Sequence, residues 1–84
     1  MSALEVSLLR LKVVAEADPG AVARVLERFQ NLSLLPRQII AEFGINDTIR
    51  IQVDVCGLPE EQLEIITAKI GQATSIVNAY WHRV

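Results

Sequence analysis

The chain has 84 residues, 51% of them hydrophobic and 21% charged, which fits one folded domain and excludes a disordered chain. Its net charge of −2, without any Lys/Arg-rich run, argues against nucleic acid as a partner. A single cysteine, Cys56, excludes an intramolecular disulfide and a CxxC motif. No signal peptide or membrane-length apolar run is evident, so we expect a cytoplasmic protein that has no membrane partner.

The first predicted element is a strand over residues 4–15. Apolar and charged residues alternate there with the period of a half-buried strand: Leu9, Leu11 and Val13 face one way, and Arg10 and Lys12 the other. Upstream, the apolar residues Leu4, Val6 and Leu8 have the opposite parity. This reversal predicts either a bulge or a partner that covers the second face.

A loop over 16–20 and a helix follow. Asp18 is predicted to cap the helix, with Pro19 at its first position. Val22, Val25, Leu26 and Phe29 then form one apolar face. The segment 31–33 ends this helix.

Two strands joined by a turn come next. The first covers 35–43, and Pro36 places its start at a sheet edge, because proline cannot donate to a neighbouring strand. The turn covers 44–47. The second strand, 48–55, shows the clearest alternation in the chain.

A second helix and a last strand complete the chain. Pro59, Glu60 and Glu61 suit the first turn of a helix that continues to about Gly71. The last strand covers 75–83. Because Trp81 shares the parity of Val77 and Ala79, we predict that it is a core residue near Phe29 or Ile70.

This order of elements predicts an α+β fold, the ferredoxin-like βαββαβ sandwich, with the whole chain 1–84 as a single domain. Its four-stranded antiparallel sheet has the order 4-1-3-2, and both helices cover one face. We also predict a homodimer. Its basis is the apolar excess, the proline-bearing edge strand and the parity reversal near Leu8.

The sequence offers little for catalysis. His82 is the single histidine and is interpreted as a solvated residue, while Cys56 is interpreted as a buried structural thiol. The helix-free face lacks the aromatic residues on which RNA-binding versions of this fold stack bases. Copper-chaperone cysteines and an acylphosphatase arginine are missing from the first loop. We expect no enzyme, no metal and no cofactor.

The loop before the first helix is the candidate site. Gly20 permits close approach of a ligand, and the amides of Gly20 and Ala21 are predicted to be open donors. The helix dipole favours a carboxylate at this point. The same residues also fit an ordinary Asp-Pro-Gly helix cap that binds nothing.

The segment LKVVAEADPGAVARVLERFQ resembles the start of an ACT domain, in which a strand, a short acidic loop with Pro-Gly and a helix follow one another. Within that family it is most similar to the small regulatory subunits of acetolactate synthase. The resemblance can be drawn from Leu9 to about Trp81. It implies two domains paired side by side and an amino-acid effector, often branched-chain, bound between them.

By position, the resemblance places the backbone of Gly20 and Ala21 on the ligand side. If an effector binds there, we predict that its carboxylate sits on these two amides and that Leu35 and Pro36 of the partner chain line the side-chain end of the pocket. Asp18 lies in the same loop, and its charge disfavours a carboxylate. Ala17 and Leu35 stand where valine-sensing small subunits carry Asn.

Three functions remain open at this point. The first is a regulatory subunit of a large, thiamine-dependent catalytic partner in branched-chain amino-acid biosynthesis. The second is a free-standing ACT-like sensor of a small molecule, and the third is a small enzyme.

Overall fold

The computed structural model describes residues 8–84, which form one antiparallel sheet and two helices. The elements are β1 (Leu8–Glu16), α1 (Ala21–Gln30), β2 (Gln38–Phe43), β3 (Thr48–Cys56), α2 (Glu60–Gly71) and β4 (Ile76–Arg83). Across the sheet the order is β2-β3-β1-β4. The predicted ferredoxin-like topology and strand order are confirmed.

The core lies between the sheet and the two helices. Alternate residues of the central strands β1 and β3 are buried towards the helices: Leu9, Leu11, Val13, Ala15, Ile51, Val53 and Val55. The helices contribute the buried residues of their inner faces: Ala21, Val25 and Phe29 of α1, and Leu63, Ile66 and Ile70 of α2. The predicted apolar helix faces therefore contact the sheet as expected.

The inner face of α2 ends at Ile70, which is buried together with Leu63 and Ile66. From Leu8 onward β1 pairs with β3 in an unbroken register, Leu8 opposite Cys56 and Glu16 opposite Thr48. The parity reversal predicted at Leu4 and Val6 lies outside the described residues.

A bulge in β4 changes the predicted inward-facing set of that strand. Opposite Val14 and Ala15 of β1, the partner residue jumps from Asn78 to Ile76, so Val77 has no partner. Ile76 packs against the core, whereas Val77 is 63% exposed. The prediction that Val77 faces inward with Ala79 and Trp81 is therefore wrong for Val77.

Trp81 has the predicted parity but not the predicted burial. It lies opposite Leu11 on the helix side of the sheet and packs against the core, yet it is only half-buried. Its indole N–H donates to Glu64 Oε1 of α2 at 2.6 Å. Since β4 is an edge strand, Trp81 closes the side of the core under α2 and is not part of its centre.

Several predicted boundaries move by one to three residues, and three of them bear on the site. α1 begins at Ala21, and Gly20 instead of Asp18 occupies the position before it. α2 begins at Glu60, with Pro59 in an extended conformation ahead of it. β2 begins at Gln38, so Leu35 and Pro36 belong to the loop that precedes the strand.

Candidate functional site

The loop between β1 and α1 satisfies its own backbone donors. The Gly20 amide donates to Asp18 Oδ1 at 2.7 Å, and the Ala21 amide donates to the Asp18 carbonyl oxygen at 3.1 Å. The prediction that these two amides are open is therefore wrong. Asp18 stabilises a turn ahead of the helix, because its carboxylate accepts the hydrogen bond that a ligand would otherwise accept.

Arg24 covers this loop from the first turn of α1. Its Nη2 donates to Asp18 Oδ2 at 2.5 Å. A Cβ added to Gly20 would lie 2.7 Å from Arg24 Nη1, which shows how closely this side chain approaches the glycine. A ligand carboxylate must therefore displace Asp18 from the Gly20 amide, and Arg24 is the cation that this displacement would release.

Leu35 and Pro36 lie at the other end of α1 from Asp18, Gly20 and Ala21. The ten residues of α1 span about 15 Å, so one chain does not bring the two predicted halves of the site together. Instead, Leu35 and Pro36 line a mainly apolar groove of about 330 Å³ beside the start of β2. The other lining residues are Leu26, Phe29, Gln30, Ser33, Leu34 and Ile39.

The β2–β3 hairpin lies at the same end of the sheet as the Asp18 loop. The Ala17 amide donates to the Asp47 carbonyl oxygen at 2.9 Å. Asn46 and Asp47 both have positive φ, as a tight hairpin turn requires. Beside this turn, Phe43 is 80% exposed and Ile45 is 79% exposed.

These side chains belong to an apolar surface along β2 that the sequence did not reveal. We call it the β2 surface; its members are Leu35, Ile39, Phe43 and Ile45, each at least 42% exposed. All six residues of β2 are exposed, and the strand pairs on one side only, with β3. Such a free apolar edge is a surface on which another strand can pair.

On the helix-free face, an ion pair joins the two central strands. Arg10 donates through Nε and Nη2 to the two carboxylate oxygens of Asp54, at 2.8 and 3.0 Å. Asp54 is 3% exposed, although it carries a charge and no helix covers it. The hydrogen bond to Asp54 raises the pKa of Arg10, desolvation opposes the rise, and the attraction between the charges adds to it.

Within residues 8–84, the groups capable of catalysis do not converge. The His82 ring is exposed and stacks on Tyr80 with 6.3 Å between ring centroids. Cys56 is half-buried, not fully buried as predicted, and its Sγ accepts a hydrogen bond from Arg37 Nη1 at 3.3 Å. In the same range, no group of three His, Cys, Asp or Glu residues is placed to hold a metal ion. Neither described helix has the length and apolarity needed to cross a bilayer.

These features define a ferredoxin-like α+β domain whose Asp18 loop satisfies its own backbone donors and whose edge strand β2 is apolar and exposed. The family model of the ACT-like domain matches residues 3–84, and the chain belongs to that family. ACT-like domains are typically regulatory and ligand-binding modules. No curated protein matches the sequence significantly.

Solved structures with the same fold have low sequence identity. The C-terminal domain of the MgtC protein from Mycobacterium tuberculosis is 16% identical with a TM-score of 0.78, over 100% of this chain and 94% of that one. The ACT domain from GTP pyrophosphokinase of Chlorobium tepidum is 10% identical with a TM-score of 0.75, over 92% and 99%. A formyltetrahydrofolate deformylase from Pseudomonas syringae is 9% identical with a TM-score of 0.76, over 98% and 29%.

Proposed function

We propose that the chain, as a single domain over 1–84, is a non-catalytic regulatory module of the cytoplasm. It acts as a homodimer, binds an amino-acid effector at the interface and attaches to a catalytic partner. The observation that carries this proposal is the free, apolar edge of β2, which lies between the two halves of the candidate site.

The dimer would form by antiparallel pairing of β2 with β2 of a second copy. Each β2 has one free edge, so symmetric pairing would continue the sheet to eight strands and leave β4 as the strand at both edges. A two-fold axis makes the two contacting surfaces identical, which suits a chain with one such surface. Pairing would also remove the exposed side chains of the β2 surface from water.

The same two-fold symmetry would bring the hairpin residues of one subunit beside the apolar groove of the other. In an antiparallel pair, the end of one β2 lies beside the start of the other. Phe43 and Ile45 of the partner subunit would therefore lie next to the apolar groove that contains Leu35 and Pro36. This groove of about 330 Å³ is large enough to accept an aromatic side chain.

Symmetric pairing would also assemble the candidate effector site. The Asp18 loop lies at the hairpin end of its own chain, and this end meets Leu35 and Pro36 of the partner subunit. The amides of Gly20 and Ala21 and the Arg24 guanidinium would supply donors for a carboxylate once Asp18 moves aside. Leu35 and Pro36 would favour an apolar side chain on the ligand, such as a branched one.

The catalytic partner we propose is the large, thiamine-dependent subunit of a synthase in branched-chain amino-acid biosynthesis. Support comes from the similarity of the segment 11–30 to small regulatory subunits of acetolactate synthase. This fold also occurs as part of longer enzymes, since the chain covers 29% of the Pseudomonas deformylase. The alternative is a free-standing dimeric sensor with no enzyme partner.

Light scattering tests the dimer. At tens of micromolar the chain should have twice the 9.3 kDa mass of one copy. A mass of 9.3 kDa under these conditions would contradict the proposed interface.

Calorimetry with common amino acids tests the effector site. Asp18→Asn should tighten binding, because it removes the charge that repels a ligand carboxylate but keeps an oxygen that can accept from Gly20. Asp47→Asn is the control, since it removes a charge from the neighbouring hairpin and should leave the affinity unchanged. No heat from any amino acid in any of these proteins would mean that the loop is a helix cap only.

Co-purification from native cells tests the partner. Recovery of a large thiamine-dependent enzyme with the wild-type chain would support the regulatory subunit. Recovery of the dimer alone would support the free-standing sensor.

A further inference from the structure

A second concave surface lies on the helix-free face of the sheet, away from the loop and the β2 groove. It is a hollow of about 370 Å³, a volume at the lower end of small-molecule sites. All four strands contribute to it. Its lining side chains include Lys12, Val14, Ile40, Glu42, Arg50, Gln52 and Tyr80.

The charges in this hollow leave one cation without a carboxylate. Glu42 Oε1 accepts a hydrogen bond from Arg50 Nη2 at 2.8 Å. Asp54, the next carboxylate on this face, accepts hydrogen bonds from Nε and Nη2 of Arg10. Within residues 8–84, Lys12 has no carboxylate within ion-pair distance. Lys12 is also half-buried and is one of the residues that line the hollow.

The groups around Lys12 are of two kinds. Tyr80 lies directly opposite Lys12 on β4, and Gln52 lies opposite it on β3. Val14 and Ile40 add aliphatic surface to the same hollow. A ligand here would meet a cation and an amide at one point and an aromatic ring with aliphatic neighbours beside it.

We propose that this hollow binds a small organic monocarboxylate with an apolar body. The carboxylate pairs with Lys12, and the apolar body packs against Tyr80 and Val14. A bare anion would leave the apolar surface in water, and a neutral analogue would leave Lys12 without a counter-charge. This site differs in position and in ligand class from the effector site above and does not depend on the dimer.

Amide NMR on the ¹⁵N-labelled full chain, with phenylacetate as the probe, tests the site. Phenylacetate should shift the signals of Lys12, Gln52 and Tyr80 and leave those of Gly20 and Ala21 in place. Phenylacetamide and acetate should each bind about fivefold more weakly or worse, since one lacks the charge and the other lacks the ring. Equal binding of either analogue would overturn the proposal.

Lysine variants provide the matched control, because the chain has two lysines on opposite layers of the fold. Lys12→Met should weaken phenylacetate binding about fivefold or more, whereas Lys69→Met on α2 should leave it unchanged. Unchanged binding to Lys12→Met, or shifts confined to the Gly20 loop, would overturn the proposal. Light scattering on the same samples reports the dimer separately, so a failure of this site is distinguishable from a failure of the proposed function.

Discussion

The two edge strands of the sheet differ in how they are protected. β4 carries a bulge at Val77, packs closely against α2 and is tied to that helix by Trp81 and Arg83. β2 has no bulge in its register with β3, and the alternate residues Ile39 and Phe43 remain exposed on its helix side. Bulges, charges and covering helices prevent strands from pairing with other chains. For the proposed dimer, this difference favours β2 over β4 as the strand that would pair with a second copy.

Glutamate substitutions on the two edges should give the largest contrast. Phe43→Glu should raise the dissociation constant of the proposed dimer by at least about 100-fold, because the interface would otherwise bury Phe43 of both copies. Val77→Glu, at a similarly exposed position on β4, should change it by less than about threefold. Sedimentation equilibrium measures both constants, and circular dichroism checks that each monomer is folded. Equal effects would remove the distinction between the edges.

Removing Trp81 should give the next largest effect, on stability and not on assembly. We expect Trp81→Ala to lower the free energy of unfolding by about 2–3 kcal/mol, because the side chain is half-buried and bonded to Glu64. Tyr80→Ala, on the other face of the same strand, should cost less than about 1 kcal/mol. Urea unfolding compares them. Losses of equal size would mean that Trp81 does not fasten β4 to α2.

The ion pairs at the two edges should give the smallest effects. Arg83 donates to both carboxylate oxygens of Glu60, but the two side chains are 71% and 37% exposed. Arg83→Met should therefore cost about 0.5 kcal/mol, and high salt should reduce this cost. Arg50→Met, which breaks a more exposed pair on the β2 side, should cost no more. A cost for Arg83→Met above about 1.5 kcal/mol that persists in high salt would contradict this account.

Local patterns were sufficient to predict the fold. The alternation in β1 and β3 depends only on which face of the strand is buried, and the same holds for the apolar faces of α1 and α2. The structure confirms both patterns. The bulge at Val77 was not predictable, because it depends on how β4 aligns with β1, a strand far away in sequence. The burial of Asp54 was missed for a similar reason: its partner Arg10 lies on another strand.

The candidate site was less predictable than the fold. Gly20 and Ala21 were expected to offer free amides because a helix start leaves such donors open. The structure shows that Asp18, two residues away, accepts from one of them through its carboxylate. Asx turns of this kind are a known property of aspartate, so the signal was present in the sequence. The exposure of Leu35 and Phe43 had no such signal, because apolar residues in a strand pattern are usually buried.

The central position of β1 has a consequence for synthesis of the chain. This strand is made first among the described elements, yet its two neighbours in the sheet are β3 and β4, and Leu9 pairs with Arg83. Strands that are so far apart in sequence pair slowly, because a long loop must close first. The β2–β3 hairpin, in contrast, can form within microseconds. On the ribosome, the hairpin would therefore form early, whereas one side of β1 would stay unpaired until β4 has left the exit tunnel. Folding of this domain should thus be completed only after translation has passed residue 83.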